Sequence, residues 1–286
     1  MRGTVDGFGY GAATPLVACV MACLGSALGL RCIARSRLAG PARRPVWLAL
    51  GAAAIGSCTW TTHFVAMTGF GIQETRIDYD GPMTGASLAV AVVMAGVGVF
   101  IVGYRGATGT ALVTGGTVTG LGIASMHYLG MAGMHFHGRF AYNTLVVTAS
   151  VAIAVVAATA ALWAAARARG FRGNLGASLV MALAVSGMHY TGMAALSVRL
   201  DGPAHAAGGP EASVLAPMLI GPLAFLLLLA VAVIFDPLMI TGRPAAAPAR
   251  PEAGVPAVAP STGRRPVPRR RRAPAGRPER HSSRTW

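Results

Sequence analysis

The stretches Met126-His127-Tyr128-Leu129-Gly130-Met131 and Met188-His189-Tyr190-Thr191-Gly192-Met193 repeat one six-residue pattern, and Thr62-His63-Phe64-Val65-Ala66-Met67 is a diverged third copy. Each copy lies inside an otherwise apolar run. The three histidines are separated by 64 and then 62 residues, so the copies recur at a nearly constant interval. Recurrence on this scale indicates a duplicated structural unit.

Each copy places a histidine and a methionine four positions apart, as in His127 and Met131. On a helix, residues with this spacing project from one face, about one turn apart. Neutral imidazole binds several transition metals, and a thioether sulfur favours Cu(I). The pattern therefore fits a metal site built from the same face of each repeat.

The composition indicates an integral membrane protein. Of the 286 residues, 54% are hydrophobic and only 12% are charged, whereas soluble domains average about 25% charged residues. The net charge of +15 comes entirely from arginine, and much of it lies in the last 45 residues. Because this charge is distributed by topology rather than on one face, it does not predict nucleic-acid binding. No cleavable signal peptide is recognisable, since the first apolar run is long enough to be a span.

About 20 apolar residues are needed to cross a bilayer as a helix. By this criterion the sequence predicts seven transmembrane helices, at about 12–33, 46–69, 83–104, 110–133, 143–166, 175–198 and 214–239. The predicted fold class is all-α: a polytopic membrane protein with three repeated helical hairpins and a closing seventh helix. Residues 1–240 form this membrane domain, and the Pro/Ala/Arg-rich residues 241–286 are expected to be a disordered cytoplasmic tail.

Arginine sets the predicted orientation. Twenty of the 24 arginines fall in the first, third and fifth connections and the tail, whereas the other side carries four arginines and six of the nine acidic residues. The positive-inside rule then places the N-terminus outside and the C-terminus in the cytoplasm. The second, fourth and sixth helices run outward, so we expect His63, His127 and His189 to form one layer in the outer leaflet.

An ionisable residue within a membrane span is costly and usually functional. A single such histidine would be equally well explained by a structural role, in which it forms a hydrogen bond to a neighbouring helix. Three at one depth, each with methionine at the same offset, favour a shared site.

The three copies resemble the motif of the MHYT-domain family, bacterial integral membrane sensor domains named for the Met-His-Tyr-Thr sequence that residues 188–191 spell in full. The resemblance covers residues about 8 to 240. It implies a protein of the bacterial plasma membrane with a copper site near the outer face that responds to oxygen, CO or NO. Carried over by motif position, the implied ligands are His63, Met67, Met126, His127, Met131, Met188, His189 and Met193.

The first copy departs from the motif, with Thr62 for methionine and Phe64 for tyrosine. It therefore offers one sulfur fewer and no phenol. The hypothesis is a Cu(I) ion with an exchangeable position for a diatomic gas ligand, whose binding shifts the motif helices relative to one another. Tyr128 and Tyr190 are candidates to orient histidine ring protons; the alternative is that they are interfacial aromatics.

Members of this family are often joined to cytoplasmic diguanylate cyclase, phosphodiesterase or histidine kinase modules. None fits the sequence after Thr241, and we recognise no catalytic nucleophile and base. We therefore expect no enzyme, but a sensor in the lipid bilayer that signals through a separate cytoplasmic protein. The alternatives are a haem protein or copper carrier that uses the same histidines, and a structural membrane partner without metal.

Overall fold

The computed structural model describes residues 3–6, 10–167, 170–201 and 212–236 of the chain. These residues form a helical bundle, which confirms the predicted fold class. The helices are α1 (Ala13–Leu38), α2 (Arg44–Met67), α3 (Gly81–Arg105), α4 (Gly109–Ala132), α5 (Thr144–Arg167), α6 (Gly170–Ala194) and α7 (Ala212–Ile234). The predicted end of the last helix, up to residue 239, and the predicted tail at 241–286 lie largely or wholly outside the described residues.

The odd-numbered and even-numbered helices differ in character. By length and composition, α1, α3, α5 and α7 are apolar enough to cross a membrane. Their burial is one-sided: α5 buries a stripe with helical spacing that consists of Ser150, Ala154, Ala158, Ala161 and Leu162, as expected for a helix with one packed face. In contrast, α2 is buried almost continuously from Ala54 to Phe64. Among the motif helices, α2 is thus the most deeply buried, whereas α4 and α6 each also carry exposed apolar residues such as Val113 and Leu183.

The helix contacts follow the predicted hairpins. The most extensive helix pairs are α1 with α2, α3 with α4, and α5 with α6. Contacts of α2 with α3, of α4 with α5 and of α6 with α1 join the hairpins into a ring. The even-numbered helices also contact one another, while α7 packs against α2 and α1. Three repeated hairpins therefore bring the three motif copies together, and α7 is added to the outside of α2.

Short strands join the connections at the motif end of the bundle. Strand β1 (Val5–Asp6) pairs with β2 (Gly71–Ile72), β3 (Asp78–Tyr79) pairs with β4 (Met134–His135), and β5 (Gly138–Tyr142) pairs with β6 (Leu196–Leu200), all antiparallel. Each pair connects segments that are distant in sequence. Together they link the N-terminal segment to the three connections beside the motifs.

One predicted helix end is wrong because of these strands. The predicted sixth helix reaches residue 198, but α6 ends at Ala194, whereas α4 ends at Ala132, within one residue of its predicted end. In β6, Val198 and Leu200 are buried while Ser197 and Arg199 are exposed. This alternation is the period of a strand with one covered face. The backbone groups beyond the helix ends are then satisfied by strand pairing.

Glu74 connects the N-terminal segment to the connection between α2 and α3. Its two carboxylate oxygens accept hydrogen bonds from the backbone N–H of Thr4, at 3.0 and 2.9 Å. A hydrogen bond from the Thr4 side chain, together with these backbone bonds, holds the pKa of Glu74 below its ordinary value. A carboxylate with a lowered folded-state pKa contributes to stability above its unfolded-state pKa, about 4.3, and loses that contribution as the pH falls through the folded-state value.

We therefore expect residues 3–6 to detach under acid. Hydrogen exchange of this segment, corrected for intrinsic rates, should show protection at pH 6 that declines below about pH 4. Glu74→Gln should be less protected at pH 6 and should show a weaker pH dependence. Equal protection of the wild-type segment at pH 6 and pH 3 would contradict this role of Glu74.

At the opposite end of the bundle, Arg35 of α1 and Asp236 after α7 form a buried ion pair. The Arg35 Nε lies 2.7 Å from the Asp236 Oδ2, and the two side chains are 6% and 9% exposed. The guanidinium also lies over the ring of Trp47, 4.9 Å from its centroid. This pair fixes the end of α7 against α1 and α2.

Candidate metal centre

The three motif histidines meet at the centre of the bundle. The Nδ1 atoms of His63 and His189 are 3.1 Å apart, those of His127 and His63 are 3.2 Å apart, and those of His189 and His127 are 3.3 Å apart. The rings stand nearly perpendicular to one another, with centroids 4.9 to 5.1 Å apart. All three side chains are buried. The sequence prediction that the three histidines lie in one layer agrees with this arrangement.

The dimensions of this triangle fit a metal ion. The centre of a triangle with sides of 3.1 to 3.3 Å lies about 1.8 Å from each Nδ1, and imidazole nitrogen binds zinc at about 2.0–2.1 Å. An ion slightly above the plane of the three atoms would therefore reach all three at an ordinary bond length. Three imidazole nitrogens are a donor set that suits zinc and copper.

The other ring nitrogens are consistent with metal binding through Nδ1. The Nε2 atoms of His63 and His127 are buried and have no hydrogen-bond partner among the described residues. A neutral imidazole carries one N–H and one lone pair, so Nε2 would hold the proton when Nδ1 binds a metal. Each histidine would then direct its lone pair at the shared centre.

The small residue at the fifth motif position makes room for these rings. A Cβ atom built on Gly130 would lie 2.9 Å from the Nε2 of His63, and one built on Gly192 would lie 2.6 Å from the Nε2 of His127. The ring from α2 thus backs onto the motif glycine of α4, and the ring from α4 backs onto that of α6. The absence of a side chain at these two glycines leaves space for the His63 and His127 rings. The sequence analysis did not predict this role.

The motif methionines lie in hydrophobic clusters. Met67, Met126 and Met131 belong to one cluster with Trp60 and Phe64, and Met193 packs against it. Met188 belongs to a different cluster, with Ile123, Ala124 and Ala154. Met126 and Met188 directly precede their histidines and so project from a different part of the helix surface.

Two segments of the chain, residues 56–115 and 120–178, match the family described as MHYT, bacterial signalling protein N terminal repeat. The chain carries MHYT repeats. This confirms the resemblance seen in the sequence. The first matched segment contains His63 and the second contains His127, while His189 lies in the third copy, beyond the matched residues.

Several bacterial signalling proteins are similar to this MHYT-repeat chain. The bifunctional diguanylate cyclase/cyclic di-GMP phosphodiesterase MucR of Pseudomonas aeruginosa is 38% identical over 194 residues, which are 66% of this chain and 28% of MucR. The cyclic di-GMP phosphodiesterase NbdA of the same organism is 39% identical over 157 residues, 53% of this chain and 20% of NbdA. An uncharacterized signaling protein of Caulobacter vibrioides is 32% identical over 186 residues, 65% of this chain and 23% of that protein.

The chain therefore spans between a fifth and about three tenths of the lengths of these relatives. No solved structure matches it.

The tyrosines of the two complete MHYT copies lie edge-on to their histidines. The Tyr128 ring contacts that of His127 with centroids 4.8 Å apart, and the Tyr190 ring contacts that of His189 at 4.9 Å. The Tyr128 hydroxyl lies 2.6 Å from the Oγ of Ser150, which donates to a backbone carbonyl of α5. In this structure Tyr128 therefore contacts His127 through the ring, and its hydroxyl connects α4 to α5.

Substitution of Gly192 should disturb the MHYT centre without removing a ligand. In Gly192→Ala the added methyl group would press on the Nε2 of His127, which must turn or move away from the other two rings. We expect a metal affinity about 10–100-fold weaker, the range found when partners that orient metal ligands are lost. The measurement is competition with a copper chelator on the purified protein.

Gly187→Ala is the matched control, because it lies on the same helix and a Cβ there would approach Ile153 only at 4.0 Å. It should bind metal like the wild type. Wild-type affinity in Gly192→Ala would show that this glycine does not position the ring.

Proposed function

We propose that this chain is an integral membrane sensor module in which His63, His127 and His189 hold one copper ion. The observation that supports it best is the convergence of three buried Nδ1 atoms to within 3.1–3.3 Å of one another. The MHYT repeats and the similar signalling proteins support the sensor role.

Copper fits the chemistry of the surroundings. Imidazole suits zinc, copper, iron and nickel alike, but soft thioether sulfur favours Cu(I). Met67, Met131 and Met193 follow their histidines by one helical turn and are the first candidates for an additional sulfur ligand; Met126 and Met188 complete the proposed set. When bound, Cu(I) would supply a position at which oxygen, CO or NO can bind.

The chain's own residues determine how such binding becomes a signal. The histidines come from α2, α4 and α6, three helices of three separate hairpins, and they meet at this centre. A gas ligand shifts the bundle only if it binds two arrangements of these helices with different affinity. We propose that small movements of the motif helices, of the kind seen at packed helix interfaces, carry the signal across the membrane. The N-terminus is proposed to lie outside.

The receiver is proposed to be a cytoplasmic signalling protein or domain. MucR and NbdA are named for cyclic di-GMP enzymes, but this chain resembles only 28% and 20% of their lengths. We therefore propose that the MHYT repeats sense, and that catalysis belongs to other polypeptide segments. This module itself is not proposed to be an enzyme.

The haem alternative meets a geometric difficulty. Two histidines that ligate one haem approach it from opposite faces of a flat macrocycle. Here the three rings are in direct contact, with centroids 4.9 to 5.1 Å apart. A macrocycle between any two of them would force the motif helices apart.

Metal analysis and an optical spectrum of the detergent-purified chain test the proposal. We expect about one copper per chain, no Soret band, and a CO adduct of the reduced protein detectable by infrared spectroscopy. An intense Soret band would show that the chain binds haem instead. Neither metal nor haem after copper reconstitution would leave the histidines as structural ties between helices.

A further inference from the structure

A second polar site lies at the end of the bundle opposite the histidines. A cavity of about 310 Å³ opens between the ends of α1, α3 and α5, the start of α2 and the connection from α3 to α4. Arg37 and Arg44 line this cavity. Ile33 and Val99 also line it, about one helical turn further into the bundle. No acidic side chain among the described residues lines it. The cavity thus combines two positive charges with an apolar interior.

The two guanidinium groups are held in place by backbone carbonyls. Arg37 donates from Nη1 to the carbonyl of Ala166 at 3.2 Å and from Nη2 to that of Ala165 at 3.5 Å. Arg44 donates from Nη2 to the carbonyl of Gly103. Its guanidinium also lies over the ring of Tyr104, 5.1 Å from the centroid. These contacts connect α1 to α5 and α2 to α3 across the cavity.

The hydrogen-bonding capacity of the arginines is not used up by these contacts. A guanidinium has five N–H donors, and these bonds use two of Arg37 and one of Arg44. The Nε of Arg44 is buried and has no hydrogen-bond partner among the described residues. Buried donors are nearly always satisfied, so the Arg44 guanidinium has hydrogen-bonding capacity that the described residues do not use.

We propose that this cavity binds a phosphate group through Arg37 and Arg44, with the carbon chain next to the phosphate lying against Ile33 and Val99. Arginine pairs bind phosphate oxygens with strong, directional hydrogen bonds. Basic pockets between membrane helices bind phosphate-bearing lipid headgroups. The phosphate comes either from an anionic bilayer lipid or from a water-soluble phosphate ester. A bound phosphate would join α1, α2, α3 and α5 at the end of the bundle where the arginine-rich connections lie.

The test uses the full chain, purified in a neutral detergent. Native mass spectrometry and thermal unfolding are recorded with phosphatidylglycerol, with phosphatidylcholine and with glycerol phosphate. We expect phosphatidylglycerol or glycerol phosphate to bind saturably and to raise Tm. In Arg37→Ala/Arg44→Ala this binding should weaken by about tenfold or more, because two charged donors are lost.

Two further variants separate the site from general effects. Arg43→Ala removes an exposed arginine that does not line the cavity, and it should bind like the wild type. Ala107→Phe keeps both arginines but fills the cavity that Ala107 lines, and it should also weaken binding. This variant keeps the test decisive if the double alanine variant does not fold.

Arginine-dependent binding of phosphatidylglycerol supports the site and assigns it to bilayer lipid. Arginine-dependent binding of glycerol phosphate without lipid supports the site and assigns it to a water-soluble ester. The proposal is overturned if neither phosphate compound binds the wild type saturably. It is also overturned if both bind equally to the wild type, to Ala107→Phe and to the folded double alanine variant.

Discussion

Loss of His127 and His189 together is expected to remove copper from the protein. In His127→Ala/His189→Ala only one imidazole remains of the three whose Nδ1 atoms lie 3.1–3.3 Å apart. Loss of partners that merely orient a metal ligand weakens binding about 10–100-fold, and loss of two ligands should exceed that range. The copper content should fall from about one per chain to near zero, as measured by elemental analysis after purification.

His135→Ala is the control for this experiment. His135 is an exposed residue of β4, so its substitution should leave the copper content near one per chain. Circular dichroism of the double variant should show the same helix content as the wild type, because the helices are packed mainly by apolar residues around the centre. A double variant that keeps its copper would contradict the assignment of the ligands.

Breaking the ion pair between Arg35 and Asp236 should cause the largest loss of stability. Removal of one partner of a buried pair leaves an uncompensated charge and costs about 3–5 kcal/mol. In Arg35→Ala the contact of the guanidinium with Trp47 is lost as well. We therefore expect Arg35→Ala to lower the free energy of unfolding by about 3–5 kcal/mol, measured by titration with a denaturing detergent.

A double apolar variant separates the charge from the packing. Arg35→Met with Asp236→Leu removes both charges and should recover most of the stability, since apolar residues of similar volume often replace buried ion pairs without loss. Arg43→Ala removes an exposed arginine nearby and should change the stability by less than about 1 kcal/mol. If Arg35→Ala also lowers the free energy of unfolding by less than about 1 kcal/mol, the ion pair does not hold α7 in place.

Much of the bundle could be predicted from the sequence because it follows from local patterns. The lengths of the apolar runs give the helices to within a few residues, and the repeat interval of the motif predicts that the three histidines meet. The regular spacing works because the second helices of the three hairpins, which carry the motif, contact one another in the bundle. The family resemblance adds the sensor function but not the geometry.

The strands beside the motifs were missed for a physical reason. Leu196 to Leu200 continues the apolar run of α6, and its alternation is too short to stand out from a helix by composition. Only its pairing partner, residues 138–142, which lie more than 50 positions away, makes it a strand. Arg35 and Asp236 are likewise 201 positions apart, so their pairing could not be read from local sequence.

The clustering of His63, His127 and His189 could be predicted from the motif. Which ring nitrogen faces the centre could not, because the choice between Nδ1 and Nε2 depends on ring rotation within the packed bundle. A sequence signal for that choice does exist: the fifth motif position is always small, as Ala66, Gly130 or Gly192. Why this position is small becomes clear only from the structure, in which the His63 ring lies against Gly130 and the His127 ring lies against Gly192.

X-ray absorption at the copper edge of the copper-loaded protein tests most directly whether the three histidines hold copper. The geometry predicts three nitrogen neighbours at about 2.0 Å, with the outer-shell scattering of imidazole rings. A single sulfur neighbour in addition would identify a methionine as a further ligand. A shell dominated by sulfur at about 2.3 Å, without imidazole scattering, would contradict a histidine-centred copper site.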